Sequence, residues 1–331
     1  ELPIALYQNS LKDQMFSGSG LVDKKDTADF KQGKNPAMAV AFTSTDRGEC
    51  IAYSNDKGRI LKEYKNNPVI KHKGRDPKIF WYEPEAKWVM VVYDEKGGNR
   101  SYDFYESQDL KSWDYMSSIE GFFECPEFFR LPVPGKKDKY KWILYGAIWE
   151  QRKNGEGYPT TSNYMIGSFD GEKFIPETEK IKGHLGPDFY AAQLFNNTPA
   201  DRKIMIAWMK GSEFPQMPFS QCMTVPLRLS LKNTKAGLRL AFNPCQELKL
   251  LRTGEIEKGI NLTPAETAKI LKKNFSELMD IKFTLKNQKS GNFQLTVKGF
   301  SINYDFNSNE LTCAGKSSQL KMIDNNINLR I

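Results

Sequence analysis

An all-β protein is predicted, a β-propeller followed by a β-sandwich, and three observations carry the prediction. Runs of β-branched and aromatic residues separated by Gly, Pro, Asn and Asp fill most of the chain, the pattern of short strands joined by turns. A two-strand unit recurs along the first two-thirds. Near Cys245 the composition changes to half-buried alternating strands, "DIKFTLK", "NFQLTVKGFSINYDF" and "INLRI", as in an antiparallel sandwich.

The recurring unit is a carboxylate, an aromatic strand, a polar loop and a second apolar strand. It reads "DPKIFWYEPEAKWVMVVYDE" from Asp76, "ECPEFFRLPVPGKKDKYKWILYGAIWE" from Glu124 and "PDFYAAQLFNNTPADRKIMIAWMK" from Pro187. "FSGSGLVDKKD" from Phe16, with "PAMAVAFTSTD" after it, has the same shape without the acid. A Ser-x-Asp turn follows the hairpins at Ser54, Ser107 and Ser168, where Asp can bond its own backbone. This drifting period of roughly 50–60 residues, built of four short strands, is that of propeller blades. Four blades begin near Phe16, Asp76, Glu124 and Asp188, the last closing with "MTVPLRLSL" near Met223. The expected domains are residues 1–240 for the propeller and 241–331 for the sandwich. One helix is expected within Thr263 to Asp280, with Thr263 as N-cap, Pro264 as its first residue and Glu266 completing a capping box, the last part of the stretch reading equally as the lead-in to a strand.

The 331 residues are 39% apolar and 27% charged, ordinary for a globular chain with a substantial core. The formal charge of +8 comes from scattered lysines, without the clustering a nucleic-acid surface needs, so no nucleic-acid partner is expected. No apolar run is long enough for a membrane span, and no signal peptide is visible. Five cysteines at irregular spacing and two histidines, His72 and His184, form no metal-ligand motif. No metal and no cofactor is expected, and the oligomeric state is not legible.

In a propeller the innermost strands converge on the axis. The repeat places Asp76, Glu124 and Asp188 at the starts of three inner strands, so three acids are expected to share one funnel. Each alone would pass as a turn residue beside a proline. Together they suit glycoside hydrolysis, in which one acid protonates the leaving oxygen and another carboxylate attacks or activates water. Crowded like charges raise at least one pKa, keeping one acid protonated beside ionised neighbours. Glu127 is three residues beyond Glu124, so strict alternation turns it to the other face, toward a basic residue such as Arg130. Most aromatics are core, while Trp149, Tyr190 and Trp208 lie near the same strand ends, where one or two could stack on a sugar.

"FSGSG" at 16–20, "RDP" at 75–77, "ECPEFF" at 124–129 and "GPDFYAAQLF" at 186–195 closely resemble the signature motifs of glycoside hydrolase family 32, the invertases, inulinases and levanases. "ELPIALY", "YSNDKG", "FYESQDLKSW" and "VPLRLSL" follow in the family's order, and the match is strong to about Lys232. The resemblance implies a five-bladed β-propeller with a β-sandwich after it, and a retaining reaction on β-fructofuranosides such as fructan or sucrose. It implies that Glu124 is the general acid/base and that Asp76 stabilises the transition state through fructose hydroxyls. Arg75 would hold the carboxylates, and Phe16, Ser17, Asp188, Tyr190 and Trp208 would bind sugar. The family's nucleophile is the Asp of a "WMNDPNG"-like motif upstream of "ELPIALY". It would lie before Glu1, so the first blade is expected to be largely missing from this chain and the sandwich incomplete at Ile331. "PLR" at 226–228 replaces the family's frequent "PRE". The resemblance favours an extracellular or periplasmic location. The alternative is a non-catalytic carbohydrate-binding propeller. "FSGSG" and "ECP" argue against a related hydrolase of arabinan or xylan.

Overall fold

The computed structural model describes residues 3–8, 10–151, 157–159, 162–186, 188–211, 216–254, 259–273, 278–322 and 325–331. The chain divides into two compact units. The first comprises Glu1–Lys232 with Leu238–Cys245, and the second Asn233–Gly237 with Gln246–Ile331. No helix among the described residues is long and apolar enough to cross a membrane.

Four antiparallel sheets in the first unit are the four expected blades. The first holds β1 (Met15–Asp23), β2 (Ala37–Ser44), β3 (Gly48–Ser54) and β4 (Lys62–Glu63). The second holds β5 (Arg75–Tyr82), β6 (Lys87–Lys96), β7 (Asn99–Ser107) and β8 (Asp114–Glu120). The third begins with β9 (Phe123–Pro132) and β10 (Tyr140–Ala147). A side hairpin follows, β11 (Trp149–Gln151) with β12 (Gly157–Pro159). The blade is completed by β13 (Asn163–Phe169), flanked by β14 (Phe174–Pro176) and β15 (Ile181–Lys182). The fourth holds β16 (Phe189–Leu194), β17 (Ile204–Met209), β18 (Cys222–Met223), β19 (Leu227–Thr234) and β20 (Gly237–Pro244). β20 extends the last blade beyond the "MTVPLRLSL" segment expected to close it.

Period-two side chains explain how the blades stack. On β6, Trp88 and Met90 join a cluster with Ala39 and Ile51 of the first blade. The alternate residues Val89, Val91 and Tyr93 join Phe128 and Leu144 of the third. On β9, Phe128 faces the second blade while Phe129 and Leu131 face Met205 and Ala207 of the fourth. Sheets buried on both faces read as continuous apolar runs. Each such side chain contributes about 1.5–3 kcal/mol by leaving water.

The inner strands are also tied through polar groups at the axis. Ser19 donates to the Pro77 carbonyl at 2.8 Å and accepts from the Ile79 amide at 2.9 Å. Gln193 donates to the Gly18 carbonyl at 3.2 Å. Lys78 Nζ lies 3.1 and 2.9 Å from the two oxygens of Glu127 and donates to the Leu194 carbonyl at 3.1 Å. The Leu194 amide donates to Glu127 at 2.9 Å. Glu127 therefore faces the axis and pairs with Lys78, contrary to the expectation from strict alternation. Arg130 instead stacks over Tyr140, 4.9 Å from its ring centre. The physical reason is a register break. β9 spends the steps from Phe123 to Glu127 opposite only Ala147 to Tyr145, and extra residues of this kind reset which face a side chain takes.

The second unit carries α1 (Pro264–Lys273), β21 (Lys282–Lys286), β22 (Asn292–Val297), β23 (Phe300–Asp305), β24 (Glu310–Cys313), β25 (Lys316–Gln319) and β26 (Asn326–Arg330). β21 pairs with β26, and β22 to β25 form a meander. The capping box is present. The Glu266 amide donates to Thr263 Oγ1 at 3.3 Å, and the Thr263 amide donates to Glu266 Oε2 at 2.8 Å. The described helix ends at Lys273, and residues 274–277 of the expected stretch lie outside the described residues. Asp280 sits between Arg330 and Arg252, which hold its carboxyl down at about 2.

Candidate active site

At the start of each of three inner strands the register breaks in a similar way. Arg75 pairs with Tyr93 but Lys78 with Val91, and Tyr190 pairs with Trp208 but Gln193 with Ile206. A residue with positive φ sits in each break, Asp76 at 65°, Cys125 at 58° and Ala191 at 48°. Such backbone costs about 1–3 kcal/mol for a side-chain-bearing residue and persists where neighbours over-determine it. Two of the three have their amides held by the preceding blade. Asp76 donates to Thr43 Oγ1 at 3.1 Å, and Cys125 donates to Asp76 Oδ2 at 2.9 Å.

The bulges decide which residues are equivalent. Asp76 matches Cys125 and Ala191, so Glu124 matches Arg75 and Tyr190. The expected trio of Asp76, Glu124 and Asp188 in register is therefore corrected to Arg75, Glu124 and Tyr190. Asp188 lies one residue before β16, half-buried, its carboxylate packed against the Gly211 backbone. The prolines at 77 and 126 already carried this alignment, because "RDPK" and "ECPE" superimpose on them.

Glu124 is gripped from both sides. Arg75 donates to Oε1 through Nε at 2.8 Å and Nη2 at 2.6 Å, and the Tyr190 hydroxyl donates to Oε2. Arg75 is itself stacked over Tyr93 and Phe123, 5.0 and 5.5 Å from the ring centres, a cation–π clamp. The buried Tyr102 hydroxyl fixes the backbone beneath, its single proton shared between the carbonyls of Phe123 at 2.6 Å and Glu124 at 2.8 Å. The Glu124 side chain stays 23% exposed, within reach of a ligand.

Asp76 is 8% exposed. Burial pushes its carboxyl up, with the Cys125 amide pulling it back and the Glu124 charge adding to the rise. Burial, and then the bond to Glu124, raise the Tyr190 hydroxyl, so it remains a proton donor. Trp208 meets Tyr190 edge-on at 6.4 Å and donates from Nε1 to Gln221 at 2.8 Å. Lys210, which no sequence signal pointed to, sits 4.3 Å above the Tyr190 ring. Trp149 packs on Phe123 at 4.9 Å under the Arg100 guanidinium. Phe16 and Ser17 are exposed at the start of β1, three and two residues before the Ser19 tie to β5. The structure thus brings Asp76, Glu124, Arg75 and Tyr190 into one contact network, with Trp208 at its edge. Phe16, Ser17 and Asp188 make no hydrogen bond to either acid among the described residues.

A sequence profile described as the "Glycosyl hydrolases family 32 N-terminal domain" matches residues 1–244. The chain belongs to glycosyl hydrolase family 32. This family-32 chain is 36% identical over 288 residues to a levanase of Bacillus subtilis, covering 80% of the chain and 41% of the levanase. It is 30% identical over 325 residues to an invertase of Wickerhamomyces anomalus, covering 89% of the chain and 58% of the invertase. A β-fructofuranosidase from Schwanniomyces occidentalis, solved with fructosyl-erythritol, aligns with TM-score 0.70 at 20% identity, over 99% of this chain and 72% of that one. At that identity the likeness shows a shared fold, that of a β-propeller and a β-sandwich.

Proposed function

We propose that this family-32 chain carries the proton-transfer and sugar-gripping groups of a retaining β-fructofuranosidase acting on fructan or sucrose. The observation that carries the reading is the Glu124 carboxyl, partly exposed and held between Arg75 and Tyr190 beside buried Asp76. The levanase and invertase relatives supply the substrate class. Glu124 protonates the glycosidic oxygen as the family's carboxylate nucleophile bonds to the anomeric carbon and the glycosidic bond breaks, then takes a proton from the water that displaces that carboxylate and releases fructose. Arg75 and Tyr190 fix its carboxyl in one rotamer, which serves proximity. Asp76 accepts hydrogen bonds from fructose hydroxyls that strengthen as the ring gains oxocarbenium character. Phe16, Ser17, Asp188 and Trp208 are assigned to the sugar-binding surround.

The test separates an acid catalyst from a binding group. Glu124→Gln in the full-length protein should lower sucrose and levan hydrolysis by about 10²–10⁴-fold. A fructoside with a nitrophenol leaving group needs no protonation, so its cleavage should fall far less in the first step. Equal losses on both substrates would remove the proton-donor role. Fructan binding without fructose release by the wild-type protein would favour a binding module.

A further inference from the structure

A buried polar chain that the proposed mechanism does not use runs from the first blade to Asp76. Glu49, on β3, is fully buried. Its carboxylate accepts from Thr43 Oγ1 at 3.1 and 3.0 Å, and Oε1 lies 2.9 Å from His72 Nε2. His72 Nδ1 accepts from the Gly74 amide at 3.2 Å, which assigns the ring proton to Nε2, donating to Glu49. No side chain fits at residue 74, where a Cβ would lie 1.9 Å from the Tyr93 carbonyl oxygen and 2.6 Å from the His72 ring. The chain ends at the site. Thr43 Oγ1 has its proton committed to Glu49, and its lone pair accepts the Asp76 amide at 3.1 Å. That bond holds Asp76 in its positive-φ backbone.

We propose that Thr43, Glu49 and His72 are positioning residues for Asp76, and that proton uptake by Glu49 loosens Asp76 and weakens its grip on the sugar. This rests on the reading of Asp76 given above. Burial pushes the Glu49 carboxyl up to about 6, while His72 and Thr43 pull it back and the Asp76 charge adds to the rise. The other groups facing the pair are Cys50 on β3 and Asp94 on β6. Asp94 Oδ1 lies 3.8 Å from His72 Nδ1, and Asp94 is paired with Lys96.

Once neutral, Glu49 carries a hydroxyl that must donate. Donation to Thr43 Oγ1 competes with the Asp76 amide. Donation to His72 Nε2 drives the ring proton to Nδ1, against the Gly74 amide. Either move breaks the chain. Stability has the opposite sign. A carboxyl raised from its usual 4.5 to about 6 binds its proton more tightly when folded. Its contribution to stability is therefore full at low pH and lost as pH rises through 6. Activity that falls as pH drops through 6 is then not a loss of the stability that Glu49 contributes.

The experiment follows the Asp76 amide and the His72 ring nitrogens by ¹⁵N NMR in the full-length protein, with KM measured alongside, from about pH 5 to about pH 7.5. The Asp76 amide and KM should step together near pH 6. Glu49→Gln places a permanent donor beside Thr43. It should hold the amide at its acid position at every pH and raise KM about tenfold at neutral pH, the cost of one hydrogen bond. Thr43→Ser should keep the step and Thr43→Val should lose it, which preserves the test if the Glu49 variant does not fold. A wild-type Asp76 amide that does not shift, or a step that survives Glu49→Gln, overturns the proposal. The amide signal needs no turnover, so it decides the matter even if the protein releases no fructose.

Discussion

The mouth of the funnel and the layer beneath it are built from the same three strands and the same kinds of group, yet they do different work. At the mouth, Arg75 of β5 meets Glu124 of β9 and Tyr190 of β16, with the acid 23% exposed. One layer down, Lys78 of β5 meets Glu127 of β9 and the Leu194 backbone of β16, with the acid 1% exposed. In the lower layer Glu127 Oε1 accepts from Lys78 and the Leu194 amide, joining three blades, and Oε2 lies against the same Lys78 ammonium. In the upper layer the acid is held in place but remains open to a sugar. An ion pair's role here follows from its depth rather than its chemistry.

The largest effect that would test this contrast is on stability. Glu127→Ala leaves the Lys78 ammonium buried without its partner and should cost about 3–5 kcal/mol in denaturant unfolding. Replacing both, Lys78→Met with Glu127→Leu, should recover most of that loss, because a packed apolar pair stands in well for a buried ion pair. A single-variant cost below about 1 kcal/mol would mean that the lower layer does not hold the blades.

At the mouth the expected effect is kinetic. Tyr190→Phe removes one charge-assisted bond to Glu124, worth about 1.5–3 kcal/mol, so kcat/KM should fall by about 10–100-fold while the unfolding midpoint barely moves. A shifted midpoint with unchanged kcat/KM would reverse the assignment. The smallest effect belongs to the lower layer again. Ser19→Ala breaks two bonds between β1 and β5 and should cost about 1–2 kcal/mol of stability with kcat unaltered.

Much of the blade architecture was legible because packing between sheets leaves period-two apolar runs, as on β6 and β9. The capping box at Thr263 and Glu266 was legible for a similar local reason. The bulges were not. Positive φ at Asp76, Cys125 and Ala191 falls on residues that carry no glycine or asparagine signal, so alternation was carried straight through the break and turned Glu127 the wrong way. The same oversight aligned Asp188 with the two acids in place of Tyr190. The Thr43–Glu49–His72 chain couples a cross-strand pair of the β2–β3 hairpin to a histidine 23 residues on, and no periodicity marks it. What could have been read was the shared proline of "RDPK" and "ECPE", which sets Arg75 against Glu124 and Lys78 against Glu127, the two pairs that the structure joins.

The most direct measurement makes the same substitution in both acids of full-length protein, Glu124→Gln and Glu127→Gln, and reads turnover and unfolding midpoint for each. Glu124→Gln should lose about 10²–10⁴-fold in turnover with its midpoint unchanged, and Glu127→Gln should unfold at markedly lower denaturant. Near-normal turnover for Glu124→Gln, or the two variants losing stability alike, would contradict the division of labour between mouth and axis.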